Sequence, residues 1–370
     1  MRFNLIKMED ALESLIDYRG KTPKKSETGI MTLSAKSVKN NHIDYSQCYF
    51  ISEEEYKRFM VRGIPKKGDI LLTTEAPLGC VARLNRDDVA IAQRLLTLRG
   101  KKQVLDNDYL LYYLQSPIGQ ASLKARESGT TVTGIKQSEF KKIELMIPDY
   151  EAQRCISSIL RTIDKKIELN NAINNNLEQQ AIAIFDNMFP NISAAEKTIG
   201  DIIIPKRGKN LLSKNAILGN VPVVAGGLNP STYHNTANTV APVLSISASG
   251  ANAGYVNLWN IPIWSSDSSF IDSSISNDVY FWYVLLKKRQ NEIYDSQTGS
   301  AQPHIYPQHI AAMPICDLNF NKVSNYTSTV TPIFELIGHN KIENMRLITI
   351  RDALVPKLIS GDLDVSNISL

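Results

Sequence analysis

The sequence is poor in the residues that would staple, anchor or export it. Only four cysteines occur in 370 residues, Cys48, Cys80, Cys155 and Cys316, and none forms a CxxC pair. That spacing argues against a disulfide framework and against zinc, so reduced thiols of a cytoplasmic protein are expected. No apolar run approaches the roughly 20 residues that cross a bilayer, so no membrane partner is expected. The start, Met1-Arg2-Phe3-Asn4, lacks the apolar core and cleavage site of a signal peptide.

Catalytic signatures are also missing. No GxGxxG follows a strand, and Gly226-Gly227 is too short for a cofactor fingerprint. Gly63 to Gly68 has the glycine spacing of a P-loop, but Asp69 stands where the lysine belongs, so Lys66 and Lys67 read as a turn. Ser247-x-Ser249-Gly250 lacks the GxSxG frame of a nucleophile elbow. The five histidines, His42, His234, His304, His309 and His339, have no ligand spacing. No catalytic residue, no metal and no cofactor are therefore expected.

What is present is a soluble composition, 43% hydrophobic and 21% charged, in a chain long enough for two cores. The net charge of +4 is unevenly spread. Residues 1–148 carry 24 Lys/Arg against 18 Asp/Glu (+6) and residues 197–322 carry 9 against 7 (+2). The intervening residues 149–196 carry 4 against 7 (−3), and residues 323–370 carry 4 against 5 (−1). Basic globular parts and acidic helical parts suit a polyanion bound by the former.

The chain is also doubled. At an offset of 170, Asn107 to Tyr113 falls on Asn277 to Tyr283, and Ser128-Gly129-Thr130 falls on Thr298-Gly299-Ser300. Upstream the offset grows to 175, where Gly79-Cys80-Val81 meets Gly254-Tyr255-Val256. At the start it is 188, where Arg19-Gly20-Lys21 meets Arg207-Gly208-Lys209. Each copy reads as an α+β domain, strands first and helices late. Asp69 to Thr74, Val89 to Leu98 and Val243 to Ser247 carry the strand signals. Ser52-Glu53-Glu54-Glu55 reads as a capping box opening a short helix. The layout expected is target domain 1–148, helix 149–189, second domain 190–322, and helix plus tail 323–370.

The long helices show a seven-residue apolar period. Its seam runs through Ile163, Ile167, Asn170, Asn174 and Leu177 in the first, and Ile333, Ile337, Asn340, Asn344 and Leu347 in the second. The paired asparagines match at the same offset of 170. Buried asparagine costs stability unless its amide is paired, so such a layer fixes register. The expected fold is two tandem mixed domains joined by two long helices in an antiparallel coiled coil, pseudo-two-fold symmetric. A helix of about 35 residues spans roughly 50 Å, giving a dumbbell.

Duplex DNA suits a two-headed reader, because paired readers take half-sites separated by about one turn or more. The candidate contacts lie in polar, basic, glycine-containing segments. In the first copy they are Arg19, Lys21, Lys24, Lys25, Lys36, Lys39, Gln93, Arg94, Thr130 and Thr131. In the second they are Arg207, Lys209, Asn229, Ser249, Ser300 and Gln302. Arg and Lys hold phosphates or guanine, Asn and Gln suit adenine, and Gly and Ser let backbone amides approach a phosphate.

At this point the chain resembles the DNA specificity subunit of type I restriction–modification systems. The resemblance rests on Ile16-Asp17-Tyr18-Arg19-Gly20-Lys21-Thr22-Pro23, on Ser128-Gly129-Thr130-Thr131, on Ile147-Pro148 with Glu151-Ala152-Gln153-Arg154-Cys155-Ile156, and on Leu354 to Gly361. It implies two recognition domains that each read half of a split, asymmetric DNA site. It also implies a coiled coil that sets the spacer and docks two methyltransferase subunits, with motor–nuclease subunits joining for cleavage. The second copy departs from the pattern, since Pro314-Ile315 is followed by Asn319 to Ser324 rather than Pro-x-x-Glu-Gln. The methyltransferase's Asn/Asp-Pro-Pro-aromatic loop is absent; Asn229-Pro230-Ser231-Thr232 lacks the second proline and the aromatic. The resemblance thus implies a non-catalytic subunit of an adenine methyltransferase complex. The alternative reading is a non-catalytic tandem scaffold that binds proteins or saccharides.

Overall fold

The computed structural model describes residues 1–129, 133–194, 196–299 and 302–366. The chain divides into two compact units, Met1–Ile167 with Arg346–Leu370, and Glu168–Met345. Each unit therefore owns part of both long helices, Tyr150–Met188 and Phe320–Ser360.

In the first unit, a four-stranded antiparallel sheet has the order Leu12–Asp17, Leu95–Gly100, Ile70–Thr73, Val81–Arg83. A three-stranded sheet places Ile30–Leu33 between Tyr49–Ile51 and Val89–Ile91, parallel to the latter. The run from Val89 to Leu98, read as strand from sequence, thus supplies two strands to two different sheets. One core lies between these sheets and contains Ile16, Leu33, Leu71, Ala82 and Ile91. The other lies under the helices and joins Leu96, Tyr109, Phe140 and Leu145 to Ile156, Leu160 and Leu358 of the long helices.

Helix boundaries follow local chemistry. Asn107–Gln115 starts at Asp106, whose carboxylate accepts the Tyr109 N–H. Ser116 ends that helix and starts Pro117–Lys124, its hydroxyl accepting the Gly119 N–H at 3.1 Å while Pro117 takes the first turn. Ser52 caps Glu53–Phe59 by accepting the Glu55 N–H. The box is not reciprocal, because the Glu55 carboxylate instead accepts the Lys24 N–H and pairs with Arg58.

The second unit repeats the four-stranded and three-stranded sheets in the same strand order. Its four-stranded sheet runs Lys206–Arg207, Ser268–Asp272, Val243–Ser247, Val256–Trp259. Its three-stranded sheet places Val221–Val224 between Thr232–His234 and Trp264–Ser265. The helix Val279–Lys288 is buried from Val279 to Leu286, against Phe185 and Tyr326 of the long helices and Phe189 just past the first.

Within this unit the helix segments pair antiparallel through asparagine. Asn170 Nδ2 donates to Asn344 Oδ1 and Asn340 Nδ2 to Asn174 Oδ1, both at 2.8 Å. Raising one member by 170 and lowering the other by 170 turns one pair into the other, so the layer has two-fold symmetry built into the repeat. Asn170, Asn174 and Asn344 are buried, with Ile337; Leu177, Ile333, Asn340 and Leu347 are half-buried.

In the first unit the helix pair carries charge instead. The Arg351 guanidinium donates to Asp164 Oδ1 at 2.9 Å, and the Tyr112 hydroxyl donates to Asp164 Oδ2 at 2.5 Å. Burial, and then the Asp164 charge, hold the Tyr112 hydroxyl pKa well above its ordinary value, so it stays a donor. Ile163 and Ile167 flank this cluster half-buried. By the offset of 170 the equivalents of Tyr112, Asp164 and Arg351 are Trp282, Phe334 and Ala181, all buried. One helix end is built on an ion pair and the other on rings.

Candidate nucleic-acid interface

The site in the first unit begins where the chain changes sheets. Val89–Ile91 ends in one sheet and Leu95–Gly100 begins in the other, and residues 92–94 turn between them. The turn puts Arg94 in the left-handed region at φ +71°, and the neighbouring Ala76 sits there too, at φ +53°. A non-glycine residue held there costs about 1–3 kcal/mol, and such residues cluster at working sites. Two bonds over-determine Arg94: its carbonyl accepts the Thr74 N–H at 3.0 Å, and its Nε lies 2.7 Å from Glu75 Oε1.

Around this turn opens a cleft of about 710 Å³. Of the sequence candidates it gathers Lys25, Lys36, Gln93 and Arg94, together with Thr22, Ser34, Gln47, Tyr49 and Ala76. The Lys25 ammonium lies 4.9 Å over the Tyr49 ring. Burial pushes the Tyr49 hydroxyl up to about 12, so it remains a neutral donor. Three cations, Lys25, Lys36 and Arg94, line the cleft, the last paired with Glu75, and the wall mixes polar side chains with apolar ones such as Ala35, Ala76 and Ala92. That arrangement accepts anions and base edges.

The other candidates are placed differently. Lys21, Lys24 and Lys39 are exposed outside the cleft. Arg19 is half-buried and donates to the Ile135 carbonyl at 2.8 Å, anchoring the segment after residue 133. Thr130, Thr131 and Ser300 lie outside the described residues.

In the second unit, Arg207, Ser249 and an acid the sequence reading passed over, Asp267, come together. Arg207 Nη2 lies 2.5 Å from Asp267 Oδ1, and the Ser249 hydroxyl donates to Asp267 Oδ2. Gly226 packs over the Ser249 carbonyl so closely that a Cβ there would lie 2.5 Å from it. Lys209, Asn229 and Gln302 are exposed. Glu75, Gln47 and Tyr49 were also passed over in the first copy. Asp267 had one signal, a lone charge inside Ser265-Ser266-Asp267-Ser268-Ser269.

Backbone hydrogen bonds align the two places residue by residue. Thr73 donates to Cys80 and Ser247 to Tyr255; Ala92 donates to Leu33 and Ser266 to Val224. Thr74 donates to Arg94 at 3.0 Å and Ala248 to Asp267 at 3.1 Å. Ile135 donates to Thr74 and Ile305 to Ala248. Bridges Glu75–Gly134 and Ser249–His304 complete the match. Arg94 therefore corresponds to Asp267 and Glu75 to Ser249, with Gln93 as one extra residue in the first copy. Among the described residues no group of three His, Cys, Asp or Glu side chains is disposed to hold a metal, and no helix is long and apolar enough to cross a membrane.

Known proteins resemble this chain along its length. A family model for the type I restriction modification DNA specificity domain matches residues 9–179. The type I restriction enzyme MjaIX specificity subunit of Methanocaldococcus jannaschii is 27% identical over 359 residues, covering 86% of this chain and 82% of that protein. A putative type I specificity subunit of Mycoplasma pneumoniae is 23% identical over 274 residues, covering 69% and 72%. Among solved structures, the type I restriction–modification S subunit from M. genitalium has the same fold, with a TM-score of 0.58 at 19% identity over 97% of this chain and 96% of that one.

Proposed function

The chain belongs to the type I restriction–modification DNA specificity family, and from that premise we propose that it reads a split, asymmetric duplex site, one half with each unit. The recognition domains are residues 1–148 and 190–322. Residues 149–189 and 323–370 supply the helices, which set the spacer between half-sites and dock two methyltransferase subunits. Motor–nuclease subunits join the same assembly for restriction. The chain contributes specificity and no chemistry of its own; adenine methylation belongs to its partners, in the cytoplasm where the DNA is.

The observation that carries this reading is the matched pair of loop clusters. The same backbone bonds present Arg94 in one unit and Asp267 in the other. A kept frame with exchanged tips is what two different half-sites require. Docking on the helices is supported by apolar side chains left exposed on them, Leu169, Ile173 and Leu336.

The test is a domain exchange in the full chain: residues 1–148 are replaced by the first domain of a relative, and the methylated motif is mapped in host DNA. One half of the motif should change and the other should persist. A change in both halves, or in neither, overturns the reading. Binding of the full chain to duplex DNA should also weaken steeply with salt, by a log–log slope of about −0.9 per neutralised phosphate.

A further inference from the structure

We propose that Arg94 and Asp267 are equivalent specificity determinants of opposite chemistry. Arg94 would select guanine in one half-site, and Asp267 would select a base with a major-groove amino group, cytosine or adenine, at the corresponding place in the other. The inference rests on the reading of both units as DNA-recognition domains and goes beyond it to the residues that discriminate.

Position is the first argument. Each residue sits at the turn between the two sheets of its unit, and each carbonyl accepts the equivalent N–H, from Thr74 or Ala248. The two side chains therefore leave the same point of the same frame. Both are accessible, Arg94 at 53% and Asp267 at 33% of the side chain.

The second argument is preorganisation with valence to spare. Glu75 engages the Nε side of Arg94 at 2.7 Å, which leaves the terminal amino groups of the guanidinium undirected. Those groups match the O6/N7 acceptor pair of guanine. Asp267 accepts from Arg207 on one oxygen and from Ser249 on the other. A carboxylate offers about four lone-pair directions, so each oxygen retains one for an amino donor of cytosine or adenine.

The holders have exchanged sign along with the readers. The strand register places Arg207, opposite Ser269, where the first unit has Asp17, opposite Leu96. Arg19 is spent on the Ile135 carbonyl and Arg207 on Asp267. In the first unit an acid positions a cation, and in the second a cation positions an acid. This assigns Arg207 the role of orienting Asp267, where sequence alone suggested a phosphate contact.

The experiment selects bound duplexes from a pool of random-sequence synthetic DNA with the full chain, in wild-type form and as Arg94→Gln, Arg94→Lys and Asp267→Asn. The wild-type motif should contain guanine at one column and cytosine or adenine at another, in different halves. Arg94→Gln and Arg94→Lys should relax the guanine column about tenfold, and Asp267→Asn should relax the other column by a similar factor. Arg94→Lys keeps the charge, so phosphate binding survives while the two-pronged contact is lost. Three results would overturn the assignment: an unchanged motif in the variants, changes falling in the same half-site, or affinity lost evenly over all sequences. Failure of the wild-type chain to enrich any motif would instead remove the DNA-reading premise, and this inference with it.

Discussion

Replacing Arg351 by methionine should cost the first unit about 3–5 kcal/mol, because it strands a buried carboxylate. Asp164 is 9% exposed and Arg351 13% exposed at the side chain, so solvent does little to screen the pair. Without Arg351, Asp164 keeps one strong partner, the Tyr112 hydroxyl. Burial lowers the Arg351 pKa, but the bonds to Asp164 and Asp352 more than offset it, so the guanidinium stays charged at every working pH. The companion variant removes both charges, Asp164→Leu with Arg351→Met, and should lie within about 1 kcal/mol of wild type or above it. The coupling between the sites is then about 3 kcal/mol. The second unit supplies the precedent, since its equivalents Phe334 and Ala181 pack with no charge at all. All three tryptophans, Trp259, Trp264 and Trp282, lie in the second unit, so fluorescence in a urea titration reports that unit. Hydrogen exchange in residues 150–167 and 346–360 reports the first. A single variant costing under about 1 kcal/mol, or a double variant as unstable as the single one, would refute the claim that the pair is a buried and mutually dependent unit.

The asparagine layer should behave as a register device: Asn344→Leu removes one of two acceptors of the Asn170 amide, which keeps Glu343, and the donor to Asn171, at a cost of about 0.5–1.5 kcal/mol per bond by denaturant unfolding. Replacing Asn170, Asn174, Asn340 and Asn344 together by leucine should raise the midpoint while blurring exchange protection along residues 168–188, as register slips. Gly119→Ala should destabilise by about 1–3 kcal/mol despite alanine's better helix propensity, because the new Cβ would stand 2.0 Å from the Tyr113 carbonyl. A stabilised Gly119→Ala variant would show that the turn at Ser116 can open. The Lys24 N–H, helped by Arg58 and opposed by partial burial, holds the Glu55 carboxyl below its ordinary range. A depressed acid stabilises fully above the unfolded value of about 4.3, and that contribution is lost as pH falls through the lower folded value. Exchange protection of residues 19–25 should therefore drop on acidification, and Glu55→Gln should abolish that pH dependence.

The long helices were legible because a sustained seven-residue apolar period is what a helix buried along one stripe requires, and neither a strand nor a loop produces it. The observed elements, Tyr150–Met188 and Phe320–Ser360, begin and end within a few residues of that pattern. The asparagine contacts were legible because matched polar residues inside an apolar seam need partners; the antiparallel sense shows in Asn170 meeting Asn344 and Asn174 meeting Asn340. The sheet change at residues 92–94 was not. Val89 to Leu98 is continuously apolar or β-branched apart from Gln93 and Arg94, and what breaks it is a tertiary demand, that one end pair with Leu33 and the other with Thr73. Asp267 was hidden because a lone acid among serines reads as a solvated turn; only its backbone match to Arg94 gives it meaning. Arg19 reads in sequence as a flexible cation in a basic run, and the fold ties one guanidinium nitrogen to a backbone carbonyl, which no local pattern announces.

The two copies have diverged where divergence is cheap. Breaking one of the matched backbone bonds would leave a buried N–H or C=O unsatisfied, at a cost of about 1–3 kcal/mol, and several share one turn. The side chain on that turn faces solvent, and exchanging it leaves those bonds intact, provided a nearby opposite charge is exchanged too. The structure shows that coupled exchange twice. At the turn, Arg94 beside Glu75 becomes Asp267 beside Ser249, with Arg207 added where the first unit has Asp17; in the helix pair, Asp164 with Arg351 becomes Phe334 with Ala181. In the helix pair the intermediate with one partner changed strands a buried charge, and at the turn Arg94→Asp alone would set a second carboxylate beside Glu75. Specificity in such a frame should therefore shift by pairs of substitutions. Arg94→Asp alone should bind DNA worse than Arg94→Asp combined with Glu75→Arg, and equal affinities for the two would show that the pairing does not constrain the tip.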